Sequence, residues 1–139
     1  MTRERGVSLL ELMIVVIVLG VLAAVGIPSY QRTLERSYWK EANDILMTIY
    51  HGERSYYLTH NAYQINLFDL SPMDEWRKIH IDNPNLGSVP IDFSVDTVGC
   101  AEPCFVARAQ RERGPCVGRQ LTIDHNRTIG GNWPEDGSC

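Results

Sequence analysis

Between Val7 and Ile27 the chain carries one charged side chain, Glu11, set among Leu, Ile, Val and Ala. A carboxylate in an apolar segment is costly, so it marks a function and calls for a cationic partner. Four cysteines, Cys100, Cys104, Cys116 and Cys139, all lie far beyond that segment. An even number in a small polar region points to disulfides and so to an oxidising compartment. Reduced thiols or a zinc site are the alternatives. However, Cys100 and Cys104 stand in C-x3-C rather than C-x2-C spacing, and no His lies at finger spacing. His51, His60, His80 and His125 are scattered. Asp92, Asp96 and Asp124 lack EF-hand spacing and are expected on solvated strand faces. Arg108, Arg111, Arg113 and Arg119 cluster in sequence, but Glu112 interrupts them and the net charge is −4. Solvated strand faces account for them better than a nucleic-acid surface. No nucleophile elbow, P-loop, zincin or dinucleotide fingerprint is present, so no enzyme, cofactor or metal is expected.

The elements that position these groups follow from hydrophobic period. As a helix, Val7 to Ile27 span about 31 Å, matching a bilayer core of roughly 30 Å. Arg3 and Arg5 precede the apolar run, which predicts a cytoplasmic N-terminus and an outward-facing remainder. An ordinary signal peptide, with small residues near Ala24 and Gly26, competes with this reading, but it has no use for Glu11. The run continues into an amphipathic stripe of Tyr30, Leu34, Tyr38, Ala42, Ile45, Leu46, Ile49 and Tyr50, predicting one helix to about Leu58. Arg32, Glu35, Arg36, Lys40, Glu41 and Asp44 are assigned to its other faces. Pro28 removes a backbone donor and Gly20 lowers helical preference, so a kink near Gly26 to Pro28 is expected.

Residues 59–90 show no clean period, though Met73 to Lys78 suit a short helix after Pro72. Period two begins at Ile91. Ile91–Thr97, Cys104–Gln110 and Arg119–Asp124 read as strands, with a short return at Thr128-Ile129. The glycine-rich segment from Gly130 to Cys139 is expected to lack regular strand. One helix on a three- or four-stranded antiparallel sheet is α+β. At 139 residues the chain has room for one domain.

Gly6-Val7-Ser8-Leu9-Leu10-Glu11-Leu12-Met13-Ile14-Val15-Val16 closely resembles the cleavage and methylation motif of type IV prepilins and pseudopilins. The match runs on through Gly20, Ala23-Ala24 and Ile27-Pro28-Ser29-Tyr30. Val7 departs from the pattern, since the family most often has Phe there. The resemblance implies a pilin fold, a leader at 1–6, a transmembrane and filament-core half-helix at 7–28, and a head at 29–139. In the head it implies helix at 29–58, loop at 59–90, and sheet with a disulfide loop at 91–139.

The resemblance also implies partners and a role. An inner-membrane prepilin peptidase would cut between Gly6 and Val7 and methylate the Val7 amine. Glu11 would then form an assembly salt bridge with the amine of a neighbouring subunit. An assembly platform would move identical or related pilins from membrane lipid into an extracellular pilus. Rival readings are a pseudopilin of a type II secretion system and a DNA-binding competence minor pilin; nucleic acid is not expected. Four cysteines allow three connectivities, which sequence alone does not decide; the expected one pairs Cys100 with Cys104, as hairpin neighbours across the Ala101-Glu102-Pro103 turn. Cys116 with Cys139 would tie down the last segment, as the disulfide loop does in pilins.

Overall fold

The computed structural model describes residues 8–68 and 71–139. One helix dominates: α1 runs from Leu9 to His60 without interruption. Its length is a tertiary effect in the second half, where an apolar stripe packs on a sheet. It ends where Asn61 adopts a left-handed conformation (φ 54°) and donates its backbone N–H to the Tyr57 carbonyl, the usual way of satisfying a helix C-terminus.

The sheet contains β1 (Ile91–Asp96), β2 (Val106–Arg111), β3 (Gln120–Asp124) and β4 (Ile129–Gly131), in that order and antiparallel throughout. The alternation follows the sequence pattern. Ile91, Phe93, Val95, Phe105, Ala107, Ala109, Leu121 and Ile123 are buried, and α1 packs against β2 and β3. From α1 come Ala42, Leu46 and Ile49. Burying side chains such as Phe93 and Phe105 makes each worth about 3–5 kcal/mol when cut back to Ala. The architecture is α+β, a long N-terminal helix on an antiparallel sheet, as in pilins.

Two expectations are corrected. Gly130 and Gly131 belong to β4, paired with Thr122 and Leu121. Gly131 has φ 113°, and a Cβ there would overlap the Gln120 carbonyl oxygen. The glycine is therefore what permits the close approach. Tyr30 and Leu34 were expected in the packed stripe, but both are exposed, because α1 buries side chains against the head only from Glu35 onward.

Residues 61–90 contribute more core than their sequence advertises. Leu67 pairs with Val95 through two backbone hydrogen bonds of 3.1 and 2.8 Å. Asn85 adds two more to the Phe93 backbone, at 2.9 and 2.7 Å. Together they cover the free edge of β1, which would otherwise present unpaired donors and acceptors. The short helix α2 (Met73–Arg77) buries Trp76, with Ile79 just beyond it. Gly52 of α1 meets this turn so closely that a Cβ would overlap the Ile79 carbonyl oxygen.

Candidate functional site

The first half of α1 stands clear of the head. Every described apolar side chain from Leu9 to Ile27 is exposed, from Leu9 at 80% to Val18 at 51%. By length and composition this helix qualifies to cross a membrane, and none of its most apolar stretch is buried. An exposed apolar band of this extent is not a monomer's free surface. Glu11 lies in the first turn of α1, where the helix dipole favours negative charge. It is exposed, and no ion pair reaches it among the described residues. Gly6 and Val7 lie outside the described residues. Gly20 and Pro28 fall inside the continuous helix. Pro28 leaves the carbonyl one turn earlier, on Ala24, without its helical donor.

Immediately after this span, several contacts clamp the head to α1. Glu35 is buried, and its carboxylate takes a bidentate pair from Arg111 of β2: Nε to Oε2 and Nη2 to Oε1, both at 3.0 Å. The remaining Arg111 nitrogen, Nη1, donates to the Pro90 carbonyl at 2.8 Å, and the guanidinium carbon lies 4.0 Å from the Tyr38 ring centroid. Side-chain exposure of the pair is only 3% and 2%. Desolvation makes such a pair a poor source of net stability, but removing one partner strands a buried charge at about 3–5 kcal/mol. The pair therefore fixes geometry: it sets helix against sheet at one register. A Cβ at Gly114 would press on Glu35 Oε1 and Arg111 Nη2, so that loop passes tightly over the pair.

The last segment adds to the clamp. Trp39 Nε1 donates to the Trp133 carbonyl at 3.1 Å. Gly137 (φ 71°) lies against the Arg32 carbonyl, where a Cβ would clash. The structure joins Cys116 to Cys139, with Cα atoms 5.2 Å apart, and Cys100 to Cys104, with Cα atoms 6.1 Å apart. The first bridge links the loop after β2 to the segment lying along α1.

A second buried carboxylate sits at the far end of α1. Glu53 is fully buried; Oε2 accepts the Gln64 N–H at 2.8 Å, and Oε1 has no partner. Burial pushes its carboxyl up from 4.5 to about 8, against the lowering effect of the Gln64 N–H. Gln64 Nε2 in turn donates to Glu75 of α2 at 2.7 Å, and Glu75 pairs with Lys78.

Sequence reasoning placed Glu35 on a solvated face and passed over Glu53. Their positions were legible: residues 35, 39, 42, 46, 49 and 53 form one stripe at spacings of three and four. Charge masked their membership. The four arginines also divide differently from expectation. Arg111 is buried rather than solvated, and Arg108 is partly buried, pairing with Asp96 and donating to the Val98 carbonyl. Arg113 and Arg119 are exposed, so the four do not form one basic face. Asp124 caps its own turn, accepting from Asn126 and Thr128 backbone N–H groups. Among the described residues no group of His, Cys, Asp and Glu is placed to hold a metal.

The family model for the prokaryotic N-terminal methylation motif matches residues 1–27. The chain is 39% identical over 61 residues to the type IV major pilin protein PilA of Myxococcus xanthus, covering 44% of this chain and 28% of that one. It is 41% identical over 69 residues to a fimbrial protein of Neisseria meningitidis, covering 47% and 38%. The type IV major pilin protein PilE1 of Neisseria gonorrhoeae matches at the same identity and length, with 39% of that protein covered. The matched segments thus span well under half the length of these relatives. No solved structure matches the chain.

Proposed function

We propose that this chain, whose N-terminal sequence belongs to the type IV pilin family, is a structural pilus subunit made as a membrane-anchored precursor. Glu11 carries the reading: it is the one carboxylate in an otherwise apolar, wholly exposed half-helix. Lipid covers that band first, and the helices of neighbouring subunits cover it after assembly. Peptidase cleavage between Gly6 and Val7 frees the Val7 amine, which the same enzyme methylates. Glu11 lies about one helical turn from that amine. In hydrocarbon each unpaired charge is costly, so Glu11 of one subunit and the amine of the next relieve each other only at the correct axial offset.

Residues 7–28 serve as the single membrane pass and later as filament core, with the N-terminus on the cytoplasmic side of the inner membrane. Residues 29–139 form the outward head. An assembly platform moves subunits from the inner membrane to an extracellular filament. The stretch from Gly20 to Pro28, weakest in helical preference, is where the helix bends. Mass spectrometry of protein recovered from filaments tests the reading. The expected chain begins at Val7 and is one methyl group heavier. A chain beginning at Val25 or Ile27 would instead establish an ordinary secretory signal.

A further inference from the structure

The turns of α1 just past the apolar run carry two arginines that form no ion pair with the head among the described residues. Arg32 and Arg36 are exposed, one helical turn apart on the same face. Neither makes an ion pair among the described residues, whereas Arg77, Arg108 and Arg111 each do. Both line a cleft of about 410 Å³ that they share with Val25, Pro28, Ser29 and Thr33. Asp136 borders the same cleft; its Oδ1 accepts from the Ser138 backbone N–H at 2.9 Å and hydroxyl at 2.5 Å, and these bonds, with a smaller contribution from the Arg36 charge, lower its carboxyl, so Arg36 is only partly neutralised there.

Depth decides what such a cleft meets. Arg32 and Arg36 lie five and nine residues past Ile27, about 7.5 and 13.5 Å along the helix axis. The headgroup layer is roughly 5–8 Å thick on each side of the hydrocarbon. Helical side chains lean toward the N-terminus, here back toward the membrane, so both guanidinium groups reach into that layer. Tyr30, 68% exposed, stands at the same level, as aromatic residues do at a membrane interface. Orientation sharpens the point. With the N-terminus cytoplasmic, these arginines occupy the side that the positive-inside bias disfavours, so their charge does not serve insertion.

We infer that this cleft binds the phosphate of an anionic phospholipid through Arg32 and Arg36 while the subunit waits in the membrane. The inference rests on the proposal that residues 7–28 span the bilayer. Guanidinium groups pair with phosphate in bidentate geometry. Val25 and Pro28 offer apolar surface to the adjoining glycerol and upper acyl chain. The lipid stays behind in the bilayer when the subunit leaves for the filament.

The test uses the full-length chain, solubilised in mild detergent and presented with equal amounts of phosphatidylglycerol and phosphatidylcholine of identical acyl chains. Native mass spectrometry counts the lipids retained. Wild type should keep phosphatidylglycerol in preference by roughly tenfold, since each arginine near an anionic surface contributes a several-fold gain. Arg32→Gln/Arg36→Gln, both exposed positions, should abolish the preference while keeping the near-ultraviolet dichroism of the wild-type head. Excess inorganic phosphate should leave the lipid in place. Equal retention of the two lipids by wild type would overturn the site, as would an unchanged preference in the double variant or displacement by free phosphate. Alkaline carbonate extraction of cell membranes is run alongside. Release of the wild-type chain would overturn the spanning reading, and the headgroup site with it.

Discussion

Single carboxylates carry the sharpest consequences. Glu11→Val removes the one charge in the apolar run, so the precursor should still enter the membrane, while filaments should be lost or much reduced because the neighbouring amine loses its partner. Normal filament numbers by electron microscopy would remove the charge-pair mechanism. Glu53 acts on stability. Its carboxyl, raised by burial to about 8 in the folded head, returns to about 4.5 when the chain unfolds. Between those values the folded state holds a proton that the unfolded state has lost. The stabilisation is therefore complete below about pH 4.5 and declines as pH rises to about 8, by at most ~1.4 kcal/mol per pH unit. Thermal melts of the head from pH 5 to 8 should show this fall, and Glu53→Gln should flatten it. An equal slope in the variant would assign the pH dependence to other groups.

At the scale of elements, the two disulfides are unequal. The Cys116–Cys139 bridge closes a sequence separation of 23, and Cys100–Cys104 one of 4. The chain-entropy relation values the first at about 3.4 kcal/mol and the second at about 2 kcal/mol. Cys104 and Cys116 are equally buried, so the cost of a buried serine hydroxyl cancels in the comparison. Cys116→Ser should thus lower the melting temperature of the head more than Cys104→Ser, and the reverse order would show that the larger bridge does not constrain the unfolded chain. The same elements show how far the sequence could be read. Period 3.6 announced α1 almost to its last turn, and period two announced β1, β2 and β3, because each buries one face and must repeat accordingly. Leu67, Trp76 and Ile79 gave no such signal. Leu67 and Ile79 enter the core from irregular backbone, and Trp76 from a five-residue helix too short to show a period, so their positions are decided by tertiary contact. The return at Thr128-Ile129 was legible, but its extension through β4 was hidden for another reason: Gly130 and Gly131 have poor strand propensity, yet the backbone of β3 accepts them because they have no side chains. Glu35 and Arg111 were mislaid because each was judged alone, whereas a buried charge becomes tolerable only with its partner.

For the whole molecule, the question is where the exposed apolar half of α1 ends and the packed head begins. The described residues from Leu9 to Ile27 contribute no buried apolar side chain, so removing them takes nothing from the core. The contacts that hold α1 to the sheet begin at Glu35, with its Arg111 pair, and continue through Trp39, Ala42, Leu46 and Ile49. A cut after Pro28 leaves more than one turn of helix before the first of these, enough for the new end to fray without reaching Glu35. The Cys116–Cys139 bridge and both sides of every strand pairing also remain. A chain of residues 29–139 should therefore be soluble, folded and monomeric. It should sediment as a single species, give the near-ultraviolet dichroism of packed Trp39, Trp76 and Trp133, and unfold cooperatively on heating. The full chain should require detergent to remain monomeric, since its first half offers water an unbroken apolar band. Precipitation of the 29–139 chain, or a melt without cooperativity, would mean that residues before Ser29 belong to the folding unit and that the boundary lies nearer the N-terminus.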